Sequence, residues 1–142
     1  MQTQNMGTIW RSAQIMGADF IFVFGGQYKR MKTDTIASYR HIPLFYFETL
    51  EDFYKSLPME SKLIGIELAE NSIPISDFKH PKQAVYLLGS ELKGLSEDAK
   101  NHCDQIVQLP GKLSLNVSVA GSIVMYDRLM KQDILSKMKQ NV

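Results

Sequence analysis

Two spacings of apolar residues alternate along the chain. Met6, Ile9, Trp10, Ala13 and Met16 recur at helical spacing, with Asn5 placed to cap the helix and Gly17 to stop it. Phe20 to Phe24 form an unbroken aromatic and β-branched run, which predicts a strand buried on both faces and ended by Gly25-Gly26. Residues 27–34 are polar and predict a loop. A second short strand is expected from Leu44 to Phe47. Thr49 then opens a helix with Glu51 and Asp52 in its favourable first turn. Leu63 to Leu68 predicts a third strand, and Ala84 to Leu88 a fourth that ends at Gly89. Between them, residues 72–81 hold two prolines and no clear period. Ser96-Glu97-Asp98 starts a helix through about His102. Gln105 to Leu109 forms a fifth strand stopped by Pro110-Gly111. The last helix runs from about Asn116 to Lys137, with Val117, Ala120, Ile123, Val124, Met130 and Ile134 as its apolar positions. Alternation of this kind predicts an α/β fold, a mostly parallel sheet flanked by helices.

Composition narrows the picture. At 142 residues the chain fits one domain, 1–142. With 44% apolar and 22% charged residues, wholesale disorder is excluded. Sixteen basic against 15 acidic residues give a net charge of +1, so binding of nucleic acid by bulk charge is not expected. A single cysteine, Cys103, excludes an internal disulfide or a cysteine-cage zinc site and suits a reducing, cytoplasmic setting. His41, His80 and His102 lack metal-ligand spacing, so no metal is expected. Apolar runs are too short for a membrane helix, and no basic-then-apolar leader precedes Asn5. Cys103 reads as a packed residue, and Glu67 and Glu70 as solvated charges.

Three polar interruptions in the apolar plan are candidates for chemistry. In the first, Gly7 and Arg11 share a helix face away from Met6, Ile9 and Ala13, and Arg11 leans toward the helix start, where backbone N–H groups favour an anion. A capped surface helix with an ordinary arginine fits the same spacing. The second, Gly89 to Leu95, follows a buried strand, where ligands of open α/β sheets gather. It matches neither GxGxxG nor the phosphate-loop pattern, and a plain βα turn would also use its glycines. The third, Ser114 to Ala120, carries Ser114, Asn116 and Ser118, more polar side chains than one helix cap requires.

Together these segments resemble the three motifs of the SpoU/TrmH-type RNA ribose 2′-O-methyltransferases of the SPOUT superfamily. Asn-x-Gly-x-x-x-Arg is matched by Asn5, Gly7 and Arg11. Gly-x-Glu-x-x-Gly-Leu is matched by Gly89, Glu91, Gly94 and Leu95, and Ser-Leu-Asn-Val-Ser-x-Ala by Ser114 through Ala120. The three stand in family order and reach from Asn5 to about Lys131.

The resemblance implies a SPOUT-type α/β knot with a C-terminal trefoil, S-adenosyl-L-methionine bound within it, and a homodimer acting on tRNA or rRNA. Arg11 of one subunit would work beside the cofactor of the other. Catalytic roles carry over to Arg11, Asn5, Glu91, Ser114 and Asn116, and cofactor contacts to Leu68, Leu88, Gly89, Gly94, Leu109, Ser114 and Leu115. Arg11, with Lys29, Arg30 and Arg40, and beside them Lys32 and His41, are candidates to face RNA, and a solvated loop fits the basic residues after Gly26 equally well. Relatives usually carry a strand before the first motif; only Met1 to Gln4 precede Asn5, so either the sequence is cut short there or the sheet lacks an edge strand. A ribose hydroxyl is a poor nucleophile until its proton leaves, and an arginine could serve as base or stabilise the alkoxide. Two other functions fit parts of the pattern: a catalytically silent RNA-binding protein on this fold, and a flavodoxin-like nucleotide binder.

Overall fold

A computed structural model of the chain describes residues 3–25 and 41–134. The chain divides into two compact units, Met1–Pro58 and Met59–Val142, each with its own contacts.

The first unit opens with helix α1 (Thr3–Ile15). Met6, Trp10 and Ala13 are buried on it, and Gly17, in the left-handed region at φ +78°, ends it. Asn5 is not its cap. It stands inside the first turn and is buried, because it lies on the same packed side as Ala13, eight residues on. Strands β1 (Ile21–Phe24) and β2 (Leu44–Phe47) pair in parallel, Ile21 against Leu44 through Phe24 against Phe47. Helix α2 (Leu50–Lys55) begins as expected, with the Asp52 N–H donating to Thr49 Oγ1 at 3.1 Å. Its Phe53 is 2% exposed and stacks on Phe22 at 4.2 Å between centroids, with Phe24 and Phe47 around it. β1 is half-buried along its length rather than buried on both faces. Among the described residues it pairs with β2 alone, and the Phe53 cluster covers only the Phe22 and Phe24 side.

The second unit is a four-stranded parallel sheet. Its strands are β3 (Lys62–Ile66), β4 (Ile73–Pro74), β5 (Ala84–Leu88) and β6 (Gln105–Gln108), in the order β4-β6-β3-β5. Ile64 and Val107 are fully buried and pack with Phe78 on one face. Helix α4 (Val117–Leu129) lies on that same side, where Leu109, Ala120 and Val124 meet Ile66, Tyr86 and Leu88. Helix α3 (Glu97–His102), capped by Ser96, covers the opposite face. Gly65 makes that approach possible: a Cβ there would stand 2.7 Å from Ile106 Cδ1 and 2.9 Å from Cys103 Sγ. Burial on both faces explains the unbroken apolar character of these strands.

Three expectations shift. β3 ends at Ile66 rather than Leu68, because the Leu68 N–H turns out of the sheet onto Glu67 Oε1 at 2.9 Å. The proline-rich stretch hides the short strand β4 and a 3-10 turn (Ile75–Asp77); Pro74, which has no N–H to donate, is tolerated at a sheet edge. The last helix changes after Leu129 to π winding over Met130–Ile134. No helix among the described residues is long and apolar enough to cross a membrane.

A buried polar chain fastens α4 to the loop before β5. Arg128 donates to the Tyr86 hydroxyl at 3.1 Å and to the carbonyl of Pro81 at 2.8 Å. With its oxygen accepting from Arg128, Tyr86 gives its proton to His80 Nδ1 at 2.6 Å, which leaves His80 Nε2–H to donate to Asp127 at 2.8 Å. Burial lowers the His80 pKa from 6.5, more than Asp127 raises it. Below pH 6.5 the unfolded chain therefore gains a proton that the folded chain refuses, so this contribution to stability is complete above 6.5 and is lost as the pH falls. The melting temperature should drop between pH 7.5 and 5.5, and His80→Gln should flatten that drop; an equally steep drop in the variant refutes the assignment.

Candidate active site

The parallel sheet of the second unit brings three chain segments to one edge. β3, β5 and β6 all run the same way, and their carboxyl ends release Glu67-Leu68, Gly89-Ser90 and Leu109-Pro110 side by side. The amino end of α4 closes the fourth side with Val117 and Ala120. Together they line a small cleft, partly open to solvent, at the carboxyl ends of parallel strands, where ligands of α/β sheets bind.

All seven residues assigned to the cofactor from the sequence line this cleft: Leu68, Leu88, Gly89, Gly94, Leu109, Ser114 and Leu115. Glu91 lines it too. Asn116 stands behind it and ties the second motif to the third, donating from Nδ2 to Glu91 Oε1 at 3.0 Å. The other end of the same amide caps α4. Asn116 Oδ1 accepts from the N–H groups of Ser118 at 2.9 Å and Val119 at 3.4 Å, and from the Ser118 hydroxyl at 2.6 Å. One side chain thus starts a helix and aims a carboxylate. Ser118 is spent inside this cap and is buried, so it is not free for a ligand.

The 89–95 loop is tightly wound. The Gly94 N–H donates to the Ser90 carbonyl at 2.8 Å, and the Lys93 N–H to Ser90 Oγ at 3.2 Å. A Cβ at Gly89 would collide with the backbone of Gly94 and Leu95. Gly94 has φ +65°, and a Cβ there would strike the Glu67 carboxylate. These two glycines are needed for the chain's own close packing.

Glu67 is the residue the sequence pattern did not single out. It was expected to be a solvated charge. Instead it is half-buried at the cleft wall, where its Oε2 accepts from the Leu95 N–H at 2.8 Å and its Oε1 from the Leu68 N–H at 2.9 Å. Its place one residue beyond a buried parallel strand was the available signal.

Asn5 and Arg11 belong to α1 of the first unit; Asn5 is buried there and Arg11 is exposed, with open space around Gly7. Lys29, Arg30, Lys32 and Arg40 fall outside the described residues. His41 is exposed. Burial, with Asp104 adding to it, pushes the Cys103 thiol up to about 11, so it stays protonated at neutral pH and donates to the Ala99 carbonyl at 3.2 Å. It is a packing residue, as its sequence context suggested. No cluster of ligating side chains that could hold a metal occurs among the described residues.

Comparison with known proteins agrees with this architecture. A protein of Staphylococcus saprophyticus assigned to the TrmH family of tRNA/rRNA methyltransferases is 29% identical over 140 residues, covering 92% of this chain and 55% of its own. The chain spans about half the length of the curated relatives it matches. The crystal structure of an AdoMet-bound rRNA methyltransferase from Sinorhizobium meliloti superposes with a TM-score of 0.81 at 24% identity, over 92% of this chain and 53% of that one. A structure described for 2-OH methylation of C/U34 on tRNA gives 0.79 at 18% identity, over 92% and 89%. These likenesses show that the chain shares the fold of these proteins. The SpoU rRNA Methylase family matches residues 1–126, and the chain belongs to it.

Proposed function

We propose that this chain transfers a methyl group from S-adenosyl-L-methionine to the ribose 2′-hydroxyl of a nucleotide in tRNA or rRNA. The convergence of the second and third motifs on one cleft at three parallel strand ends, in a chain of this family, carries the proposal. The relatives and structural neighbours support it by what they are described as doing.

The cleft suits the cofactor. Ile66, Leu68, Leu88, Leu109 and Leu115 offer an apolar wall for the adenine, and backbone groups at Leu109 and Gly89 stand at its edge. Two carboxylates, Glu67 and Glu91, line it, which suits a cation better than a phosphate chain. The bound cofactor supplies an electrophilic methyl on a sulfonium sulfur. The protein's task is to hold hydroxyl, methyl and sulfur in line and to help the hydroxyl lose its proton. Asn116 orients Glu91, and Ser114 adds a hydroxyl at the rim. Arg11, exposed on α1, supplies the permanent positive charge that stabilises the forming alkoxide and the neighbouring phosphate. We assign Lys29, Arg30 and Arg40 to RNA contact on sequence grounds.

Strand order supports the knotted arrangement. β6 is inserted between β3 and β4, so the 67–72 connection bridges its carboxyl end. That bridge is fastened on both sides, by the Glu67 N–H to the Val107 carbonyl at 3.0 Å and by Ser72 Oγ to Gln108 Oε1 at 2.8 Å. The family match runs across both units, which supports one catalytic domain. Homodimerisation is supported by an apolar stripe on α4 and the turn after it, where Val119, Ile123, Tyr126 and Met130 are exposed at helical spacing. In the dimer, Arg11 of each subunit would serve the cleft of the other. An RNA substrate and a single thiol fit a cytoplasmic setting.

Three substitutions and the cofactor binding of the wild-type chain test this function. Arg11→Ala should lower methyl transfer by about a hundredfold or more, while calorimetry finds S-adenosylmethionine binding unchanged; near-normal turnover would show that the arginine has no such role. A folded wild-type chain that binds no cofactor would favour the silent RNA-binding alternative. Asn116→Ala should cost about 1 kcal/mol of stability through the lost cap and also reduce turnover, measured by thermal melts and single-turnover assays; an unaltered melt would contradict the capping role. Ile123→Glu should shift the chain from dimer to monomer in sedimentation and abolish turnover with it; an unshifted dimer would place the interface elsewhere.

A further inference from the structure

Among the described residues that line the cleft there is no lysine, arginine or histidine, while two are glutamates. Their situations differ. Glu91 is on the exposed 89–95 loop and is held by Asn116. Glu67 is half-buried at the end of β3, and both of its oxygens are fixed by backbone N–H groups, one from Leu68 and one from Leu95. These bonds set the carboxylate in place against Gly94, where no other residue's Cβ would fit. They do not cancel its charge: an N–H group is a dipole, and a carboxylate at the wall of a partly enclosed cleft acts with less screening than one in open water.

We infer that Glu67 is a positioning residue that holds the 67–68 and 94–95 backbone around the cleft and makes the cleft prefer a sulfonium cofactor to its neutral, demethylated product. This rests on the methyl-transfer function proposed above. In that reaction the methyl leaves sulfur for the ribose oxygen, the S–CH3 electron pair stays on sulfur, and the hydroxyl proton passes to solvent. The sulfonium charge is thereby lost. A fixed negative wall attracts the ligand before transfer and loses its hold afterwards, so exchange of spent for fresh cofactor is favoured by the reaction itself. A purely steric clamp would hold both forms alike.

Calorimetric titration of the full chain with S-adenosylmethionine and with S-adenosylhomocysteine separates these roles. Glu67→Gln keeps one oxygen acceptor but loses the charge. It should weaken S-adenosylmethionine on the order of tenfold and the homocysteine product less than about twofold. Glu67→Asp, which keeps the charge, should preserve the wild-type ratio of the two affinities even if both weaken. Equal weakening of both ligands by Glu67→Gln, or no change in either, overturns the charge role. If Glu67→Gln does not fold, the wild-type chain decides: its affinity ratio should fall with added salt, and a salt-independent ratio refutes the inference. A folded wild-type chain that binds neither ligand refutes the methyl-transfer function instead.

Discussion

Every group at the cleft depends on one constraint, the parallel register of β3 between β5 and β6. Ile66 pairs with Leu88 on one side and with Val107 on the other. Because all three strands point the same way, the next residues of each emerge together. An antiparallel neighbour would have sent one of the three loops to the opposite edge. The register is held by burial on both faces, with Ile64 and Val107 inaccessible to water on one side and Gly65 admitting Cys103 and Leu95 on the other. The site is therefore a consequence of core packing, and a slip of one residue would reverse which side chains face α3 and α4.

A sheet that ends at one place leaves backbone groups to be satisfied there, and the same side chains that do this also shape the site. Glu67 takes the N–H groups of Leu68 and Leu95, Ser90 takes that of Lys93, and Asn116 takes those of Ser118 and Val119. A buried or half-buried N–H without a partner would be unfavourable by an amount comparable to a lost hydrogen bond. Loop closure and site construction are thus one set of interactions. The glycines belong to the same economy of space: Gly94 is obliged by both its φ of +65° and the carboxylate behind it.

Much of this was legible in the sequence because periodicity and capping are local. Ala84 to Leu88, the Thr49 and Ser96 caps and the start of α4 at Asn116 fall where the pattern put them. Misplaced features depend on distant partners. Asn5 looked like a cap because the residues before it carry no apolar signal, yet the helix begins at Thr3. β4 escaped notice because two residues containing a proline have no periodicity; only β6, more than 30 residues later, makes them a strand. Glu67 looked solvated because nothing near it in sequence marks it, and its partner Leu95 is 28 residues away. His80 offers no metal-ligand spacing; its partners are Tyr86 on β5 and Asp127, which the docking of α4 brings to it.

The near-neutral total charge conceals an uneven distribution whose logic follows from the chemistry. Glu67 and Glu91 line the cleft, which disfavours a phosphate chain there and suits the sulfonium of the proposed function. In the proposed methyl transfer the ribose would meet that sulfonium, and its hydroxyl would become more negative as the proton leaves. No lysine, arginine or histidine is among the described residues that line the cleft to supply the positive charge such a step would use. Arg11, exposed on α1, is the residue proposed for that charge.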